Sequence, residues 1–192
     1  MKAIFYKSIL SQENLTPTDR IVYSQILYLS LMEKSNSSYD LEGRFNLESA
    51  NNKYGGYVPV SWRVSGKYIC EILRISRKQY YLSFANLNKF GYLISDTNNT
   101  LVKLTCLIPY FELDTKTKLR GYELIVYSYL LAKSAKYGWV DKYHDAIAKD
   151  LSLSRISIEQ ILHKLYKKGF LERMRRGHQV LLRPIKKDVQ QV

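Results

Sequence analysis

The chain has 192 residues, 46% of them hydrophobic and 24% charged, a composition that supports packed cores and confines any disorder to local stretches. Thirty Lys and Arg against 17 Asp and Glu give a formal charge of +13, which favours polyanionic partners and salt-sensitive association. No apolar run has the length of a membrane span, and neither end carries a signal-peptide or lipidation pattern, so the sequence reads as a cytoplasmic chain without a membrane partner.

In chain order, Phe5-Tyr6-Lys7 leads to Thr16-Pro17-Thr18-Asp19, where a Thr cap, a Pro at the first helical position and an early Asp predict a helix N-terminus. Ile21, Val22, Ile26 and Leu29 continue at helical spacing to about Met32. The polar, turn-rich stretch from Ser35 to Gly56 reads as an extended loop. Tyr57 to Trp62 alternates as a short strand does, and Pro59 confines that strand to a sheet edge. Two helices and a hairpin follow, with strands from Tyr92 to Ser95 and Leu101 to Leu107 around the tip 96–100. Pro109 marks a boundary, after which Tyr110-Phe111 restarts the pattern of Phe5-Tyr6. A helix is expected from about Arg120 to Lys136, with its apolar stripe on Leu124, Ile125, Tyr127 and Leu131. The last hairpin is expected to have strands from Phe170 to Arg173 and Gln179 to Arg183, with Met174-Arg175-Arg176-Gly177-His178 as its tip.

The second half repeats the first. Ile69-Cys70-Glu71-Ile72-Leu73-Arg74-Ile75-Ser76-Arg77 returns 78 residues later as Ile147-Ala148-Lys149-Asp150-Leu151-Ser152-Leu153-Ser154-Arg155. Leu87-Asn88-Lys89-Phe90-Gly91-Tyr92-Leu93 likewise returns as Leu165-Tyr166-Lys167-Lys168-Gly169-Phe170-Leu171. Further upstream, Leu15, Ile21-Val22-Tyr23-Ser24 and Leu27 match Leu119, Ile125-Val126-Tyr127-Ser128 and Leu131, now 104 residues apart. The difference of 26 places an insertion within roughly 34–62 of the first copy. Two domains follow, 1–108 and 109–192, the second with a basic hairpin.

Each copy has the spacing of a helix-turn-helix, in which one helix packs across a second whose outer face can enter a major groove. Ile69, Leu73, Ile75, Tyr80, Phe84 and Leu87 fill the inward positions of the first copy; Ile147, Leu151, Leu153, Ile158, Leu162 and Leu165 fill those of the second. Ser76 and Ser154 cap the second helices. Arg77, Lys78, Gln79 and Tyr81 then face outward in one copy, and Arg155, Ile156, Ser157, Glu159, Gln160 and Lys164 in the other. Arg can bond guanine and Gln adenine in bidentate fashion, while Lys more often meets phosphate. On that chemistry the first copy has the better recognition helix, because the second displays Ile156 and Glu159. Those two suit either base contact or a protein partner.

The hairpins rank the other way. Arg173, Arg175, Arg176 and His178, with Lys167, Lys168, Lys186 and Lys187 nearby, form the densest basic cluster of the chain, suited to phosphate or minor-groove contact. The 96–100 tip has no basic residue.

Other chemistries find little support. Cys70 and Cys106 form no metal-binding pair, and Cys70 matches Ala148 as a small buried position in a reducing compartment. His144, His163 and His178 lack ligand-spaced companions, so no metal or cofactor is expected. Asp141, His144 and Asp145 cluster without a nucleophile, and the glycines form no phosphate-binding loop, so no enzyme is expected. Of the 17 tyrosines, Tyr23, Tyr80, Tyr92 and Tyr127 occupy core positions of the repeat, whereas Tyr81 points outward.

Leu151-Ser152-Leu153-Ser154-Arg155, followed by Leu165-Tyr166-Lys167-Lys168-Gly169-Phe170-Leu171, resembles the winged-helix regulators of bacteria. The tandem arrangement is also similar to replication initiators of plasmids and mobile elements. These resemblances imply a mainly α fold of the α+β class, two tandem winged-helix domains with β-hairpin wings, and sequence-specific binding of double-stranded DNA. Transcriptional regulation is the leading expectation and replication initiation the alternative. They also admit a homodimer or a partner protein held through one of the two modules.

Overall fold

The computed structural model describes residues 3–35, 57–60, 65–95, 100–103, 110–135, 138–141, 144–177 and 179–186. Among them are six α-helices and three small antiparallel sheets, an α+β fold. The chain starts with strand β1 (Ala3–Tyr6) and a 3-10 helix (Lys7–Ser11). It forms two compact units, one of Gln12–Pro109 and one of Lys2–Ser11 with Tyr110–Val192. Residues 2–11 therefore group with the second half, although the sequence reading assigned them to the first domain.

In the first unit, α1 (Pro17–Ser35) opens on a reciprocal cap. Thr16 Oγ1 accepts from the Asp19 amide at 3.2 Å, and Asp19 Oδ2 accepts from the Thr16 amide at 2.9 Å. β2 (Tyr57–Pro59), α2 (Gly66–Leu73), α3 (Arg77–Lys89), β3 (Leu93–Ser95) and β4 (Thr100–Lys103) follow. The sheet order is β2-β4-β3, so Pro59 lies on an edge strand as its missing amide requires. Most of the expected insertion, 36–56 and 61–62, and most of the first hairpin tip, 96–99, lie outside the described residues.

The second unit contains β5 (Tyr110–Leu113), α4 (Gly121–Ser134), β6 (Val140–Asp141), α5 (His144–Asp150), α6 (Arg155–Lys167), β7 (Leu171–Arg176) and β8 (Gln179–Pro184). Its three-stranded sheet has the order β6-β8-β7. Each unit thus runs helix, strand, helix, turn, helix, hairpin, with the first strand hydrogen-bonded to the last. The second unit adds a two-stranded sheet, β1 with β5, in which Phe5 pairs with Phe111 and Tyr6 with Tyr110. Phe5 and Phe111 meet as tilted rings with centroids 5.3 Å apart, and Phe111 meets Tyr129 edge-on at 6.0 Å. This aromatic burial ties the first residues of the chain to its second half.

The repeat persists in three dimensions. The buried Tyr23 donates its hydroxyl to the Lys103 carbonyl and sets its ring edge-on to Tyr92 at 5.7 Å. The buried Tyr127 donates to the Ile185 carbonyl at 2.8 Å and meets Phe170 edge-on at 5.3 Å. The turns between the helix pairs place Arg74 and Ser152 at φ of 52° and 49°, left-handed conformations held by bonds from the Ile75 amide to the Cys70 carbonyl and from Leu153 to Ala148. Gly91 and Gly169, at φ of 71° and 70°, end α3 and its counterpart α6.

Ile69, Leu73, Tyr80 and Leu87 are buried in the first unit, and Ile147, Leu151, Ile158, Leu162 and Leu165 in the second. Each buried aliphatic side chain contributes roughly 1.5–3 kcal/mol of transfer free energy. Ile75, Phe84 and Leu153 are only half-buried, as is Cys70, unlike its counterpart Ala148. Burial is the main cause that raises the Cys70 thiol pKa. α4 departs from the expected stripe: Leu124 to Leu130 are all buried, so this helix is covered on every side through its middle. No helix among the described residues is long and apolar enough to cross a membrane.

Candidate nucleic-acid interface

The N-termini of α3 and α6 are set by Ser76 and Ser154, and this capping occupies two expected base readers. Ser76 Oγ accepts from the Gln79 amide at 3.2 Å, while Gln79 Oε1 accepts from the Ser76 amide at 3.0 Å and from its hydroxyl at 3.2 Å. Both lone pairs of that oxygen are then used, and the acceptor that bidentate adenine contact requires is taken. Ser154 Oγ accepts from the Ser157 amide at 3.1 Å and lies 2.8 Å from Ser157 Oγ. The signal was present in the sequence, since Ser76-x-x-Gln79 has the spacing of a capping box.

Arg77, Lys78 and Tyr81 are exposed, as expected. Tyr81 is 67% exposed, with its ring edge-on to that of Tyr80. One face of α3 presents Lys78, Leu82, Ala85 and Lys89, all exposed, with Leu82 at 58%. The equivalent face of α6 presents Ile156, Gln160, His163, Lys164 and Lys167, also all exposed. Where α6 carries Lys164, α3 carries Asn86, whose amide donates inward to Asp19 Oδ2 at 3.4 Å. Leu82 and His163 are not among the residues the sequence points to for DNA contact, and Lys167 is there only as a neighbour of the basic hairpin. Their places follow from counting helical turns from Lys78 and Ile156, once the inward row is fixed.

Arg155 is exposed but engaged. Its Nε donates to Glu159 Oε1 at 2.9 Å and its Nη1 lies 3.4 Å from Asp145 Oδ2. The Arg155 hydrogen bond, then that of His144 Nδ1 at 3.2 Å, holds the Glu159 carboxyl below the usual carboxylate range. Arg155 thus has two carboxylate partners within its own unit, in exposed pairs.

The second hairpin is longer than the sequence suggested. Met174, Arg175 and Arg176 belong to β7 and not to a tip, and Arg176 pairs with Gln179 across Gly177 at φ 60°. Strand alternation then decides direction: Leu171, Arg173 and Arg175 share one face, opposite Pro184, Leu182 and Val180. Leu171 and Leu182 are buried, so the two arginines extend the core row beyond its edge. The Arg173 guanidinium lies 5.4 Å from the centroid of the Tyr166 ring on α6, a cation–π contact that joins hairpin and helix. His178 lies outside the described residues, and of Arg176 only the backbone is described.

Other basic residues are less available. Lys168 is bonded to Glu123 at 2.5 Å, and Arg183 lies 3.7 Å from Glu172 and over the Trp139 ring. By sequence the second unit still holds 19 Lys and Arg against 9 Asp and Glu, whereas the first holds 11 against 8. Most of the net charge therefore belongs to the unit with the polar outward helix. Among the described residues, no group of three His, Cys, Asp or Glu could hold a metal ion.

Comparison with protein-family models and with curated proteins finds no match for this chain.

Proposed function

We propose that the chain binds double-stranded DNA through winged helix-turn-helix modules arranged in tandem, as a transcriptional regulator. In this reading α6 enters the major groove and the β7-β8 hairpin is the wing. The observation that carries it is the exposed row Gln160, His163, Lys164 and Lys167 on α6, joined through Tyr166 and Arg173 to a strand bearing Arg175. Gln160 suits a base edge, whereas Lys164, Arg173 and Arg175 suit phosphate. The order of elements and the excess of positive charge in that unit agree with this use.

Fluorescence anisotropy on duplex DNA over a range of salt concentrations tests the reading. Affinity should fall linearly on a log–log plot, with a slope of about −0.9 per phosphate neutralised. Binding that ignores salt would remove the electrostatic basis of the proposal. Selection of bound fragments from the source genome then separates dispersed promoter sites, expected of a regulator, from repeats at a replication origin.

A second reading applies to the first unit alone. Tyr81, Leu82, Phe90 and Ile94 are exposed there, and between Lys78 and Lys89 the outward row of α3 carries only Leu82 and Ala85. This surface suits a second copy of the chain better than it suits base edges. Sedimentation of wild type against Leu82→Asp tests it; an unchanged molecular mass would dismiss it.

A further inference from the structure

The first turns of α6 restrict what a base pair could meet. Ile158, Ile161 and Leu162 are buried in the core, and Ser157 is held by its cap. Arg155 and Glu159 are paired with each other, and with Asp145 and His144 respectively. Ile156, 67% exposed, and Gln160 remain, spaced one helical turn apart on the outward face. Among the described residues, Gln160 has no polar partner for its side chain.

Accepting the DNA-binding role above, on which this inference rests, we propose that the second unit recognises a major-groove element of A·T pairs. Ile156 packs against a thymine 5-methyl group and Gln160 bonds an adenine. The chemistry admits little else. Thymine carries the only apolar group on the major-groove edge of the four bases, and an aliphatic side chain offers nothing to the remaining donors and acceptors. The Gln amide has one donor side and one acceptor side, which match adenine N7 and N6; guanine presents two acceptors, N7 and O6, and asks for the paired donors of an Arg. The Arg of this helix, Arg155, is paired with the carboxylates of Glu159 and Asp145. Four residues of helix rise about 6 Å, and base pairs rise about 3.4 Å, so the two side chains address base pairs about two steps apart.

The test starts from selection of a randomised duplex pool by the full chain, followed by base replacement within the enriched site. An A·T element should be enriched. Replacing one thymine with deoxyuridine, which removes only the methyl, should weaken binding about 4-fold. Ile156→Ala should make the chain indifferent to that replacement, and Ile156 is exposed enough for the variant to fold. Replacing the contacted adenine with 7-deazaadenine should cost at least about 5-fold, and Gln160→Ala should abolish that sensitivity. Enrichment of a G·C element, or equal binding of thymine and uracil duplexes, would overturn the assignment while leaving DNA binding intact. Loss of self-association in Ile156→Ala with unchanged duplex affinity would assign the residue to a protein contact instead. Failure to bind any duplex would remove the DNA-binding reading itself, and the proposal with it.

Discussion

Where α6 shows Gln160 and Lys164, α3 shows Leu82 and the inward-bonded Asn86, although both helices are capped by a serine and followed by a glycine in the left-handed conformation. The inner faces explain the likeness. Tyr23 and Tyr127 make the same hydroxyl bond to a carbonyl at the end of the hairpin and the same edge-on contact with an aromatic ring. A buried ring with a hydrogen-bonded hydroxyl tolerates little change, because a lost partner strands a carbonyl. Outward positions carry no such constraint. One scaffold can therefore present an apolar surface in one unit and a cationic surface in the other.

The largest expected effects test whether the scaffolds are equivalent. Leu87→Ala and Leu165→Ala, at matched and fully buried positions, should each cost about 2–5 kcal/mol, read by calorimetry. A negligible loss in one unit would show that its core is not packed as described. Surface substitutions should then separate the units. Lys164→Ala combined with Arg175→Ala should lower duplex affinity about tenfold or more and reduce the salt slope by about two. Lys78→Ala combined with Lys89→Ala should change either far less. Equal losses from the two pairs would restore the symmetric reading in which both units grip DNA.

Smaller effects sharpen the likeness. Tyr23→Phe and Tyr127→Phe should each cost about 1–2 kcal/mol in chemical denaturation, since each leaves a carbonyl without its donor. Burial raises Tyr80 and Tyr127 from the ordinary value of 10 to about 12. The folded protein keeps these phenols neutral while the unfolded chain ionises them, so their contribution is complete below pH 10 and lost as the pH climbs toward 12. Burial also raises Tyr92 in the first unit and Tyr129 in the second, so melts across that window should show a loss in both units, and Tyr127→Phe should lessen the dependence in the second without removing it. Ser76→Ala and Ser154→Ala should each cost about 1 kcal/mol through the helix cap; a far larger loss at Ser76 would show that releasing Gln79 disturbs more than the cap.

Much of the fold was legible because local chemistry and tertiary packing agree on it. Thr16-Pro17-Thr18-Asp19 begins a helix by capping, Pro59 lies on an edge because it lacks an amide hydrogen, and Ile147, Ile158 and Leu165 are inward by periodicity. The candidate interface was harder to read. Gln79, Ser157 and Arg155 have suitable chemistry for base readout, but each is engaged by a neighbour three or four residues away, and only the side-chain geometry shows that neighbour holding it. The run from Met174 to Arg176 looked like a turn because arginines crowd a glycine, yet ladder hydrogen bonds carry the strand on to that glycine.

By itself the sequence determined the duplication, the helix starts and the inward rows, since caps, proline and apolar periodicity act over a few residues. Only the tertiary structure decided that Phe5-Tyr6 and Tyr110-Phe111, two occurrences of one pattern, are strand partners of each other. Strand pairing depends on which edges meet in space, and no local preference of either segment specifies its partner. The same physics directs Arg173 and Arg175: residue types supply the charge, and the register of β7 with β8 determines the face on which it is displayed.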